Sequence, residues 1–510
     1  MTSRDNTEKT MISRGSIIAW ARRLRRFDAI PVIVIIILLT SSPPIAAADG
    51  PEDGGDGGHE PATPVESGGG PRVVLSSGRS FPLLGVGVGN MLHDIIPEVL
   101  SHAVRPTSEE GFGHRLVDTA SSSWNEEIVA DAIDAGLGGA GAGDDPVHVV
   151  TKVWYTHLGY DRTRLSVLDS MGELRNLHEI NRNIKVHVLI HWPRCYDDID
   201  WMDCEGEEER LPQYVKDIGP PPHLNKHSSW GASWRALEDL YMGLDTRNEE
   251  ATHVPLNMTI ESIGVSNFKL ADLKGLMTGA KIKPHIYQGN ILVEFNDKGI
   301  MTILRDNDVH FQAYNIINGV LGNAEQAPNA YHQLARIGRD LYKHAVASPG
   351  GLAAEAQPPF SAGTVLLAWL VQSGISVVPR AESTENRLPN SVDAVMAVPI
   401  IPDPIRLDVE KFVLALIKGE DIIPPVEPDG VGVSFWNGLQ SAMSVFWIHP
   451  KTGEEILQHA EPLLIGQDVK FRAHPGHRFA AYSHDRNVRK DFTVIKGYGE
   501  HEHFSVEEEL

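Results

Sequence analysis

Arg115-Leu-Val-Asp118-Thr-Ala-Ser-Ser-Ser123-Trp-Asn-Glu-Glu127 reads as a short apolar strand ending on a carboxylate, followed by a polar loop and the start of a helix. In a β/α protein, the C-terminal end of a strand and the loop after it are where catalytic side chains sit. Working outward from Asp118, apolar runs at 147–154, 184–192, 260–267, 284–289, 309–314 and 375–380 alternate with helix-like segments at 125–135, 162–177, 230–242, 270–279 and 364–373. With 83–89 as a further strand, roughly eight units span about 310 residues, which predicts an α/β fold of the (β/α)8 TIM-barrel type with loop insertions. A doubly wound open sheet is the alternative. It is disfavoured because Gly85-Val-Gly-Val-Gly89 lacks the Gly-x-Gly-x-x-Gly spacing and opens no helix.

The chain of 510 residues is long enough for more than one core, and its formal charge of −23 with no basic stripe beyond a short N-terminal run argues against nucleic acid as a partner. That run, Arg22, Arg23, Arg25 and Arg26, precedes an apolar stretch from Ala29 to Leu39 and then Ala46-Ala47-Ala48. Positive flank, apolar centre and small-residue site form a signal peptide over 1–48, with an uncleaved single-pass anchor as runner-up. Either places the protein in the secretory pathway, secreted or lumenal after cleavage or else tethered to a membrane. Residues 49–72 are Gly, Pro and acidic, a disordered linker; the barrel is expected over 73–398, with a helix and Pro-rich linker at 399–430. From 431 to 510 short alternating strands at regular spacing predict a small all-β sandwich.

Two stretches interrupt the barrel pattern: 193–229, acidic and Pro-rich, and 324–362, mixed and Gly/Pro-rich. Both follow strand ends and are expected as loops that shape a cleft, with solvated surface loops as the alternative. The first holds the chain's two cysteines, Cys195 and Cys204; an oxidising lumen would allow a bridge, and two free thiols are the alternative. No spacing resembles a zinc site, so no metal is expected.

The co-linear strings Leu-Val-Asp118-Thr-Ala with Asn-Glu-Glu127, Thr-Lys152-Val-Trp154, Leu-Ile-His191-Trp-Pro193, Gly-Val-Ser266-Asn267-Phe268, Tyr-Gln288 and Ala-Tyr314 together resemble the aldo-keto reductase family. The resemblance covers about 73–390. It implies reduction of aldehydes or ketones to alcohols with NADP(H), NAD being the second choice, and a small carbonyl compound as substrate. It makes Asp118, Lys152 and His191 catalytic, gives the cofactor Ser266, Asn267, Gln288, Tyr314, Arg380, Ser383, Arg387 and Asn390, and lines the substrate pocket with Trp154 and Trp192. The family's acid is a tyrosine whose phenol, ordinarily near pKa 10, is lowered by the lysine. At that position this chain has Ser123, followed by Trp124 where glycine is usual. A serine hydroxyl cannot replace a phenol in that mechanism, which leaves His191, Tyr155, Tyr160 or a water to supply the proton. Ala381 stands where a hydroxyl residue is usual, which softens the preference for NADPH.

The C-terminal segment, with Phe435-Trp-Asn437, Phe446-Trp447 and Pro-Gly476-His477, is similar to the β-domain of the von Hippel-Lindau protein. That resemblance implies a protein or peptide partner, with His477 as the peptide-binding candidate and Ala473 where a serine is expected. Two functions follow from the whole: a reductase with a non-standard acid, or an inactive reductase barrel serving as a dinucleotide-binding or protein-interaction scaffold through its C-terminal domain.

Overall fold

The computed structural model describes residues 70–138, 145–175, 183–196, 198–219, 229–245, 254–255, 258–347, 359–380, 390–422, 430–450, 452–459, 461–497 and 500–507. The leader, most of the 49–72 segment and the Pro-rich run at 423–429 lie outside them. An antiparallel hairpin, β1 (Arg72–Val74) and β2 (Ser80–Pro82), comes first. Then follow β3 (Val86–Gly87), β4 (Leu116–Asp118), β5 (Val147–Val153), β6 (Ile184–Ile190), a small ribbon of β7 (Leu244–Asp245) and β8 (Val254–Pro255), and β9 (Ile260–Ser266), β10 (Ile286–Asn290), β11 (His310–Tyr314) and β12 (Ser376–Val377). Omitting the ribbon, β3 to β12 form one sheet of eight strands in chain order, every pair parallel. The sheet closes on itself: Leu84 bridges Val377 in parallel, and Gly85 N and Gly87 N donate to Val377 O and Pro379 O at 2.9 and 3.0 Å. Closure excludes the open sheet and, among the described residues, leaves this eight-stranded sheet no free edge.

The central strands β5 and β9 are buried along their whole length, because the barrel interior takes one face and helices take the other. Leu116, Val150, Leu189, Ile286 and Val378 fill the interior with Phe81 from the hairpin. Gly264 on β9 is required by this packing: a Cβ there would stand 2.6 Å from Leu189 Cδ2 and 2.2 Å from Ile286 O. The expected helices are found at Glu126–Gly136, Tyr160–Glu173, Ser229–Tyr241, Leu270–Gly279 and Ala362–Gln372.

The second insertion differs from expectation. Rather than a loop throughout, it contains the helix Pro328–Ala347, which buries Ala330, Leu334, Leu341 and Ala345 at helical spacing and packs on Ala362–Gln372 and Asp403–Lys418. Its composition looks mixed because one face alone is apolar. The first insertion carries two short helices, Cys204–Arg210 and Gln213–Lys216, and the Cys195–Cys204 disulfide is formed. At the C-terminus, β13 (Val431–Asn437), β14 (Met443–Ile448), β15 (Glu455–Leu457), β16 (Asp468–Ala473), β17 (Arg478–Ser483), β18 (Arg489–Thr493) and β19 (His501–Val506) form two sheets, β16-β13-β19 and β15-β14-β17-β18. Phe435, Phe471, Phe479, Phe492 and Phe504 pack together in their shared core.

The barrel floor, at the N-terminal ends of the strands, is polar. The Arg72 guanidinium, which can only donate, gives a hydrogen bond to His148 Nε2 at 3.1 Å. His148, if neutral, must then carry its proton on Nδ1 and donate to His187 Nε2 at 2.9 Å, and His187 in turn donates from Nδ1 to Ser262 Oγ at 2.7 Å. A second proton on either ring would set two donors against each other. Burial lowers His148 well below its ordinary value, His187 to about 3 and His310 to about 4. On the barrel's outer side, burial raises Glu126 to about 7, against the lowering effect of its bonds from Thr151 Oγ1 (2.5 Å) and Ser170 Oγ (3.0 Å).

The signs oppose. Each histidine's contribution is complete above the unfolded value of about 6.5 and is lost as pH falls, by up to about 1.4 kcal/mol per unit. Glu126 contributes below the unfolded carboxyl range and loses that contribution as pH rises toward 7. Three imidazoles outweigh one carboxyl, so the melting temperature should fall from pH 7 to pH 5, and His310→Asn should make the fall shallower. Melting temperatures that do not change over that window would mean the imidazoles take up protons without unfolding.

Candidate active site

The C-terminal ends of β4, β5, β10 and β11 meet in one network. Lys152 Nζ donates to Asp118 Oδ1 at 2.7 Å and to Thr119 O at 2.8 Å. The same Asp118 oxygen accepts from Gln288 Nε2 at 2.6 Å, and Gln288 Nε2 also donates to Gln312 Oε1 at 2.7 Å. Lys152 is 4% exposed and Asp118 9%, so the pair interacts with little screening by water, and each charge depends on the other.

His191 follows β6, and its backbone N donates to Val153 O at 2.9 Å. Its ring is half-buried and packs edge-on against Trp154 with centroids 4.8 Å apart; Nδ1 is buried without a partner among the described residues. Desolvation, with the Lys152 charge added, holds it well below its ordinary value, so it is neutral at pH 7. Asn267, after β9, has φ +58°. Its Nδ2 donates to His191 O at 3.0 Å and Ser266 Oγ at 3.1 Å, and its Oδ1 accepts from Tyr314 OH at 2.8 Å. Burial and the Asp118 charge raise Tyr314 to about 12, a direction unsuited to an acid at neutral pH.

Ser123 closes a single 3-10 turn, Ser121–Ser123. Its carbonyl accepts from His93 Nε2 at 2.9 Å, and Trp124 follows at φ +52°, exposed on the surface. The turn is fixed to the strands by Ser121 Oγ donating to Lys152 O at 2.9 Å and Asn125 Nδ2 donating to Val88 O at 3.2 Å. The two tyrosines expected as alternative proton donors are withdrawn, one by burial and the other by a hydrogen bond. Tyr155 is wholly buried, and burial together with the Glu207 charge raises it above the ordinary phenol value. The Tyr160 hydroxyl donates to Asp239 Oδ2 at 2.7 Å, on the helix Ser229–Tyr241.

Of the expected cofactor residues, Ser266, Asn267, Gln288 and Tyr314 come together on adjacent strands, Gln288 in register with Ser266 and Asn290 with Tyr314. The buried Gln312 Nε2 beside them has no partner among the described residues; a ligand bearing a carbonyl or amide oxygen fits a network with a donor to spare. Arg380 is exposed, its Nη1 donating to Asn90 O at 3.4 Å. Asn390 is buried next to Gly85 and Val86, while Ser383 and Arg387 lie outside the described residues. Trp154 packs against His191, and Trp154 and Trp192 both pack against Trp201. His477 sits far along the chain in the C-terminal sheets, 5.3 Å from the Trp447 ring and lowered to about 4 by burial and by His474.

The structure adds residues that the sequence did not mark. Glu207 and Trp201 come from the first insertion: Glu207 Oε2 accepts from Trp154 Nε1 at 2.5 Å, and Trp201 packs against Trp154 and Trp192. Nothing in the acidic run 203–209 tells which carboxylate turns inward. Gln312 and His93 were likewise unmarked, since a lone amide and a lone imidazole carry no spacing signal.

Residues 110–403 match the model of the aldo/keto reductase family. Similar proteins include an uncharacterised oxidoreductase of Bacillus subtilis, 24% identical over 323 residues (62% of this chain, 84% of the relative). An NAD(P)H-dependent D-xylose reductase of Kluyveromyces lactis is 22% identical over 324 residues (62% and 85%). Among solved structures, the aldose reductase of Schistosoma japonicum aligns with a TM-score of 0.47 at 17% identity, covering 68% of this chain and 92% of the other. The chain belongs to the aldo/keto reductase family.

The buried pair can be tested by removing its members one at a time. Asp118→Ala strands an ammonium and should cost about 3–5 kcal/mol in urea unfolding. Lys152→Met should cost less, and the double variant should recover much of the loss. Simple additivity in the double variant would show the two charges to be uncoupled.

Proposed function

We propose that the barrel reduces aldehydes or ketones to alcohols with NADPH, and that it does so without the family's phenolic acid. The observation that carries this reading is the Asp118–Lys152 pair beside a neutral His191, at the strand ends where Ser266, Asn267, Gln288 and Tyr314 assemble. The D-xylose reductases among the relatives, named for NADPH or for either nicotinamide cofactor, support the reaction class.

Ser266, Gln288 and Asn267 would hold the nicotinamide amide and Tyr314 would cover its ring, with Arg380 available to a 2′-phosphate. Bound NADPH supplies the hydride. His191, neutral, orients the carbonyl by donating one hydrogen bond to its oxygen. Lys152, bonded to Asp118 at 2.7 Å, lowers the cost of negative charge on that oxygen through its ammonium. Ser123 holds no titratable proton at neutral pH, so the proton that completes the alcohol comes from water admitted where the phenol is missing. A second reading, a dinucleotide-binding scaffold that acts through the C-terminal sheets, is favoured by Ser123 alone.

Two measurements separate these readings. NADPH at about a hundred times its Kd should stabilise the fold by about 2.7 kcal/mol in either case, and no shift in melting temperature at saturation would remove both. Turnover of a broad panel of aldehydes should be slow in the wild type and should rise in Ser123→Tyr by about 10² or more; no NADPH oxidation in either form would leave the scaffold.

The formed disulfide supports passage through an oxidising compartment, which we propose the N-terminal segment provides. Among the described residues no helix is long and apolar enough to cross a membrane. Mature protein beginning near Asp49 would establish cleavage of the leader; Arg22 to Arg26 retained in a membrane fraction would establish an anchor.

A further inference from the structure

The first insertion is pinned twice. The Cys195–Cys204 bridge closes its start, and the Glu208 carboxylate accepts two bonds from the buried Arg162, both 2.9 Å. Between and beside these points, Trp201 stands at the mouth of the site, 49% exposed, with its ring centroid 6.3 Å from Trp154 and 5.7 Å from Trp192. Trp154 itself packs on His191. The three indoles therefore form a continuous wall leading down to the carbonyl-orienting imidazole.

The Trp154 and Trp201 side of that wall is acidic, whereas on its Trp192 side Lys269 and the Asp272-paired Arg194 lie over the Tyr196 ring, 4.6 and 5.7 Å from its centroid. Glu207 accepts from the Trp154 indole N–H, and no Lys or Arg among the described residues pairs with it; Glu208 is matched by Arg162, and Asp203 by Arg210 at 3.0 Å. The Tyr155 hydroxyl, buried against Trp154, is outside hydrogen-bonding geometry of every described acceptor, although Glu207 is near enough to influence it. Asp198, Asp200 and Glu205 stand exposed on the same insertion. An indole offers a positive edge and a negative face. When the edge N–H is given to a carboxylate, what is left to a ligand is the negative face with an anionic charge next to it. That combination favours a cation over a neutral group of the same shape and repels an anion.

We infer that the disulfide-closed insertion makes the site selective for carbonyl compounds bearing an ammonium group, the cation lying against Trp201 and Trp192 near Glu207 while the carbonyl meets His191. The inference rests on the reading of this cleft as a carbonyl site and adds a substrate class to it. Glu207 and Trp201 are then specificity-determining residues.

The test uses two alcohols of equal shape, choline and 3,3-dimethylbutan-1-ol, which differ in a quaternary nitrogen against a quaternary carbon. Titrated calorimetrically into the full chain with its disulfide intact, choline should bind about tenfold more tightly, equivalent to roughly 1.4 kcal/mol. Glu207→Gln keeps an acceptor for Trp154 and removes the charge, so it should bring the ratio down toward one; Trp201→Ala should weaken choline more than the neutral alcohol. Circular dichroism and melting temperature establish that both variants are folded. Equal affinities for the two alcohols, no binding of either, or an unchanged ratio in folded Glu207→Gln would overturn the inference. Because neither alcohol needs NADPH or turnover, a chain that binds choline selectively but never oxidises NADPH would refute reduction and leave the cation site standing. Turnover that does not favour trimethylammonioacetaldehyde over 3,3-dimethylbutanal would do the reverse.

Discussion

A single ammonium and a single carboxylate, taken out of water together, set the terms for the top of this barrel. Lys152 and Asp118 sit on neighbouring strands, and each would be costly to bury alone. Their pairing fixes the register in which β4 and β5 must end, and the shared acceptor oxygen draws Gln288 from β10, and through it Gln312 from β11, into the same network. Burial first, and the Lys152 charge second, keep His191 neutral, and a neutral imidazole is the form that can offer one hydrogen bond without bringing a second charge into a poorly solvated site. The arrangement of the mouth follows: Trp154 packs on His191, and the insertion packs on Trp154.

Much of this was legible in the sequence because it depends on local pattern. The strand that ends on Asp118 and the alternation of apolar runs with amphipathic ones are readable from pattern, and the barrel bears them out; Lys152, His191, Ser266 and Gln288 stood out only through the family resemblance of the strings that hold them. Boundaries shifted by a few residues where a strand frays into its loop; the last strand shrank to Ser376–Val377. The helix Pro328–Ala347 was obscured by the turn-forming residues at either side, although its buried positions repeat with helical period. Glu207 was illegible for a different reason. Seven residues from Asp203 to Glu209 include five acids, and only the bridge between Cys195 and Cys204, together with the Arg162–Glu208 pair on the next residue, decides which of them faces the site. Such a choice is made by tertiary contacts and leaves no periodic trace.

The turn that carries Ser123 is held at three points: Ser121 is bonded to the Lys152 backbone, Asn125 to Val88, and His93 caps the Ser123 carbonyl. Ser123 is thus presented by a fixed frame. Trp124, in a left-handed conformation more commonly given to glycine, is a strained position that these bonds hold in place.

The floor of the barrel carries a choice of its own. A string of neutral imidazoles between two hydroxyl or imidazole partners can be satisfied in either of two directions, every proton shifted one way or every proton shifted the other, with little to separate them in energy. Arg72 removes that degeneracy, since a guanidinium has no lone pair to offer and the string must begin with an acceptance at His148. One residue in the first strand of the described chain thus selects between two opposite arrangements of protons. The interior polarity of the barrel is in that sense a single binary decision, made 76 residues upstream of the first ring that obeys it.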